Sequence, residues 1–89
     1  MELQELREEI DRLDTVLLDA FLKRMKVSEA VAEYKMEHHL EILNTKREQD
    51  VIAKVRAQSG DMADYSQELF EKIMEISRNR QQELMKEEK

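Results

Sequence analysis

The chain has no cysteine, no proline and no tryptophan, and it holds a single glycine, Gly60. Without cysteine there is neither a disulfide framework nor thiolate chemistry. Without proline, and with one glycine, the chain lacks the turn residues that hairpins and crossover loops need, which favours long helices over sheets. No run of about 18 apolar residues is present to span a bilayer. The opening Met1-Glu2-Leu3-Gln4-Glu5 has none of the basic-then-apolar form of a signal peptide. The expectation is a soluble cytosolic protein with no membrane partner. A formal charge of −6 argues equally against a nucleic acid held by its phosphates. It does not forbid a small cationic pocket, because acidic residues outside can coexist with a few arginines facing inward.

What is present is helical periodicity in a chain of 89 residues, enough for one domain. The first helix is predicted over residues 3–37. Counting in sevens from Leu3 gives Leu3, Ile10, Leu17, Arg24 and Val31; counting from Leu6 gives Leu6, Leu13, Ala20, Val27 and Tyr34. Arg24 thus stands in the seam where a leucine is expected. A guanidinium there costs free energy unless hydrogen bonds and opposite charge compensate it. No acidic residue occupies the neighbouring seam positions, so the missing anion points to a ligand.

Residues 38–44 lose the helical rhythm and read as a linker. Asn44 or Thr45 can cap a second helix over 45–59, and Thr45-Lys46-Arg47-Glu48 has capping-box spacing. Gly60 ends that helix. A third runs over 63–85, with Leu69, Phe70, Ile73, Met74, Ser77, Gln81 and Leu84 in its stripe. Tyr34 and Tyr65 are expected at the edges of the core, and the methionines as filler or surface. The first helix is a rod of about 50 Å, against a diameter of roughly 30 Å for a domain of this size. The two later helices cannot cover both its halves. The fold class expected is therefore all-α, three helices per chain, in an intertwined antiparallel two-fold dimer. A long parallel coiled coil fits less well, because the heptads fade after Tyr34 and the later helices also have apolar faces.

Several polar residues fall where core is expected. Lys35 lies eleven residues after Arg24 on nearly the same face, about 16 Å along the axis. Both side chains are long enough to converge on an object between them. Arg7 lies seventeen residues before Arg24, about 25 Å away, and reaches such a site only across an antiparallel interface. Ser77 and Gln81 point a hydroxyl and an amide inward, and Arg47 and Glu48 stand in the first turn of the second helix. Taken singly, Arg7, Lys35 and the Arg47–Glu48 pair fit solvated helix surface, and Ser77 fits a hydroxyl bonded back to its own helix. Taken together they offer cationic donors, one carboxylate and one amide. There is no nucleophile beside a base, no spaced metal ligands and no cofactor loop; adjacent His38 and His39 diverge in most backbones. The set suits binding a small polyanion and stabilising charge with fixed donors, without cofactor or metal.

The series Leu3-x-x-Leu6-Arg7-x-x-Ile10-Asp11-x-x-Asp14-x-x-Leu17-Leu18, then Arg24, Lys35, Arg47-Glu48-Gln49 and Ser77-x-x-x-Gln81, resembles the all-helical (AroQ-class) chorismate mutases over about residues 3–85. The resemblance implies a dimer in which each pocket is built mainly by one chain, and conversion of chorismate to prephenate. It implies that Arg7 is donated across the dimer to a substrate carboxylate. Arg24 is implied to clamp a carboxylate from within the chain, and Arg47 to line the pocket. Lys35 and Gln81 are implied to hydrogen-bond the ether oxygen, Glu48 to receive the ring hydroxyl, and Ser77 to line the pocket. Two departures stand out. Asn44 replaces a residue that is often acidic in the family, near the ring hydroxyl, and the linker has no proline, which implies a more mobile 38–44 segment. The alternatives are an isochorismate–pyruvate lyase of the same fold, distinguished by pyruvate release, and a non-catalytic helical assembly or regulatory module.

Overall fold

A computed structural model describes residues 2–87. Its elements are α1 (Leu3–Glu37), α2 (Thr45–Gln58), a 3₁₀ turn (Gly60–Met62) and α3 (Ala63–Glu87). Helix 2 ends one residue earlier than expected, at the Ser59 cap, and helix 3 continues two residues further. Among the described residues, no helix is long and apolar enough to cross a membrane.

The molecule is an elongated rod-and-hairpin, 54 × 26 × 14 Å. Helices α2 and α3 run antiparallel, tied by Arg56 to Gln67 (2.7 Å) and Asp64 (3.0 Å) near the turn. Helix α3 then runs parallel to α1 where the two meet, with Ser77 beside Arg24 and Gln81 beside Ser28. Glu29 and Arg80 pair across the same contact at 3.0 Å. The Arg80 guanidinium, with help from Lys26, holds the Glu29 carboxylate below its usual range, and Glu29 in turn pushes Arg80 up.

The junctions follow from local chemistry. After α1 the chain closes a Schellman motif: the Leu40 amide donates to the Lys35 carbonyl (2.8 Å) and the His39 amide to the Met36 carbonyl (3.4 Å). That motif needs a left-handed residue, and His39 supplies it at φ 55° in the place glycine usually takes. Asn44 caps α2, its side-chain oxygen accepting from the Arg47 amide at 3.1 Å. The capping box expected from Thr45 and Glu48 is not used; Glu48 turns away to Arg78 instead. Gly60 takes φ 56° after α2, the conformation glycine tolerates best.

The core is small, and its chemistry is unusual. Of the five residues buried among the described ones, Ala32 and Met74 are apolar, while Ser28, Ser77 and Gln81 are polar. Polar residues seldom make up the larger part of what a small domain buries, so this centre is arranged for something other than cohesion alone. Every described residue from Glu2 to Ala20 is exposed. The apolar seam there therefore has no cover, with Leu13 63% and Val16 66% accessible. Burying one such side chain is worth about 1.5–3 kcal/mol, so a row of them leaves a large driving force unused within one chain. The tyrosines expected at the core edge are exposed, Tyr34 at 57% and Tyr65 at 71%. Tyr34 stacks on His38 at 3.9 Å instead; it lies two residues from fully buried Ala32, on the side of α1 turned away from α3.

Candidate active site

The three helices and the linker line an open cavity of about 280 Å³ beside the α1–α3 contact. Helix α1 lines it with Arg24, Val27, Ser28, Val31 and Lys35, which share one face at spacings of three and four residues. The linker and the start of α2 add Ile42, Asn44, Arg47, Glu48 and Val51, and α3 adds Met74, Ser77, Arg78 and Gln81. Seven of the eight site residues expected from the sequence therefore meet at one place: Arg24, Lys35, Asn44, Arg47, Glu48, Ser77 and Gln81. Arg7 is not among them. It is exposed on the uncovered half of α1, and the straight helix keeps it about 25 Å from Arg24.

Each polar group has a defined partner. Arg24 donates through Nη1 to Ser77 Oγ at 3.0 Å. Ser77 therefore does not bond back to its own helix; its hydroxyl turns to α1, where it also approaches Met25 Sδ at 3.8 Å. Lys35 Nζ donates to the Ile42 carbonyl at 2.6 Å, pinning the linker against the end of α1. Gln81 Nε2 donates to both the carbonyl (2.9 Å) and the hydroxyl (3.1 Å) of Ser28. Asn44 spends its oxygen on the α2 cap, which leaves the amide NH₂ as the polar group it can offer a ligand. No buried side-chain nitrogen or oxygen lacks a partner among the described residues.

Two lining residues escaped the sequence reading. Ser28 lies four residues after Arg24 on the same face and holds the Gln81 amide; that spacing was a usable signal. Arg78 lies four after Met74 and three before Gln81, at the edge of the α3 stripe, and grips Glu48 with one nitrogen at 2.5 and 2.6 Å. A cation at a stripe edge was visible, but its partner thirty residues away was not.

Four cations (Arg24, Lys35, Arg47, Arg78) face one carboxylate, Glu48, across this cavity. Such an excess suits a small dianion. No group of three or more His, Cys, Asp or Glu side chains suited to a metal occurs among the described residues. The arrangement defines an all-helical pocket for a polyanionic molecule. The family model for chorismate mutase type II matches residues 6–82, and the chain belongs to that family. It is thereby an isomerase of the all-helical AroQ class, with chorismate as its substrate. No curated protein and no solved structure matched the chain.

Proposed function

We propose that this chain converts chorismate to prephenate by holding one conformer of the substrate and stabilising charge on its ether oxygen. The reaction is an intramolecular [3,3] rearrangement: the carbon–oxygen ether bond breaks as a carbon–carbon bond forms, and no proton or electron leaves the substrate. The protein therefore has two tasks. Arg24 and Arg47 bind the carboxylates, fixing the flexible enolpyruvyl arm over the ring. Lys35 and Gln81 donate to the ether oxygen as negative charge grows there. Glu48 accepts the ring hydroxyl, and the Asn44 amide stands at the same end as a neutral donor. Ser77 sets the direction of the Arg24 guanidinium.

One further donor comes from a second copy. The uncovered apolar seam of α1 calls for a mate, and an antiparallel α1 covers it while bringing Arg7 beside the middle of its partner. Two chains then form two cavities, each completed by the other's Arg7. The observation that carries the whole reading is the convergence of Arg24, Lys35, Arg47 and Gln81 on one cavity with a single carboxylate among them.

The test is the loss of chorismate absorbance on adding purified protein, with prephenate identified as the product. Lys35→Ala is expected to lower kcat by about a hundredfold or more, the cost of one charged donor at a developing oxyanion, on the order of 3 kcal/mol. Unchanged kcat in that variant would overturn the electrostatic assignment.

A further inference from the structure

Glu48 is an awkward residue to place among cations that the substrate needs. A carboxylate in a cavity with Lys35, Arg24 and Arg47 attracts whichever of them it can reach. Every such pairing competes with a substrate carboxylate or with the ether oxygen for the same donor. In this structure Glu48 makes none of those pairs. Both of its oxygens are held by Nη1 of Arg78, at 2.6 and 2.5 Å. The two side chains are about equally sheltered, 29% and 27% accessible. The other two guanidinium nitrogens of Arg78 make no hydrogen bond among the described residues, so its side chain's grip on Glu48 is undivided.

The placement is specific to the fold. Arg78 directly follows Ser77 and precedes Gln81 by three residues, so it is carried by the same turns of α3 that present both those groups. Glu48, Met74 and Arg78 are common to the cavity and to a second groove between α2 and α3. The pair thus stands in the wall dividing the two, and Glu48 is drawn against that wall.

We infer that Arg78 is a positioning residue for the mutase reaction. It absorbs the charge of Glu48, holds that carboxylate against the α3 wall with lone pairs left for the ring hydroxyl, and so keeps Lys35, Arg24 and Arg47 available to the diacid. A carboxylate oxygen has more than one lone-pair site, so accepting from Arg78 does not prevent it accepting from a hydroxyl. The inference rests on the functional reading above, because it assigns Arg78 a role only in a pocket that takes a dianion.

The experiment is a double-mutant cycle on the full chain, read as chorismate turnover: wild type, Arg78→Met, Glu48→Gln, and the two combined. Arg78→Met is expected to lower kcat/KM by about tenfold or more, since an unpartnered Glu48 swings onto cations the substrate requires. Removing that stray charge then helps, so the combined variant is expected to be no worse than Arg78→Met alone. Arg78→Lys, which keeps a cation beside Glu48, regains part of the loss, as a purely steric role would not. If Arg78→Met does not fold, Arg78→Gln takes its place in the same cycle. Losses that multiply, or an Arg78 variant within about twofold of wild type, overturn the inference. A wild-type chain that leaves chorismate unchanged would instead overturn the functional reading, and this inference with it.

Discussion

The decisive perturbation is a pair of substitutions placed on separate chains. Arg7 and Lys35 lie at opposite ends of α1, and at 1.5 Å per residue they are about 42 Å apart along a helix with no break. No side chain spans that distance, so if both serve one substrate they come from different chains. Arg7→Ala alone is then expected to disable both sites of its homodimer, and Lys35→Ala likewise. In a mixed dimer, the site built by the Arg7→Ala chain keeps its own Lys35 and receives Arg7 from its mate. The other site loses both. Random pairing of equal amounts makes about half the dimers mixed, each with one intact site of two, which gives about a quarter of wild-type activity. The assay unfolds the two variants together, refolds them, and follows chorismate absorbance, with differently tagged chains confirming that mixed dimers form. Mixed dimers with no more activity than the two homodimers would refute the donation of Arg7 across the interface.

Two further outcomes concern stability. His39 holds a left-handed conformation at φ 55° to close the α1 cap, so His39→Gly is expected to stabilise the fold by about 0.5–1 kcal/mol, measured by urea denaturation; destabilisation would mean that the imidazole contributes more than its backbone costs. Glu29 is held below its usual range by the Arg80 guanidinium. Its contribution is therefore present above the unfolded-state glutamate pKa and is lost as pH falls through the lower folded value. Thermal melts of Glu29→Gln should show a shallower loss of stability over that acid window than wild type, and parallel curves would refute the pairing.

The three helices were legible because the chain announces them twice, by periodicity and by having few residues that can stop a helix. Arg24 was legible as a site residue for a related reason: a charge inside an apolar seam breaks a local rule, and such breaks gather at functional places. Lys35, Ser77 and Gln81 followed from spacing along their helices. What spacing could not supply was pairing between helices. Arg78 with Glu48, and Ser28 with Gln81, depend on how α3 lies against α2 and α1, which no single helix encodes. The left-handed turn at His39 was hidden because the position usually advertises itself with glycine. Tyr34 and Tyr65 were misplaced because their helical phase turns them away from the packed faces: Tyr34 lies two residues after fully buried Ala32, and Tyr65 nine residues before buried Met74, half a turn off its line.

The partners of the cavity residues follow a pattern that links fold to function. Arg24 rests on a hydroxyl, Lys35 on a backbone carbonyl, and the Gln81 amide on a carbonyl and a hydroxyl. All are neutral acceptors. A carboxylate offers Arg24 and Lys35 a full opposite charge that a hydroxyl or a carbonyl does not. On the proposed reading, an arriving diacid displaces the bonds of the two cations in favour of charge pairs, while in its absence they spare the core unsatisfied donors. Glu48 is the exception, because its partner is fully charged and already in contact at both oxygens. A substrate hydroxyl, being neutral, cannot outbid that pairing; it can only add to it. On the proposed reading, the donors that reorganise on binding are thus those resting on neutral acceptors, and the carboxylate that stays in place is the one held by an ion pair. A pocket whose free state were instead filled by internal salt bridges to Arg24 and Lys35 would be more self-contained and a poorer catalyst, since the substrate would have to break charge pairs before it could form its own.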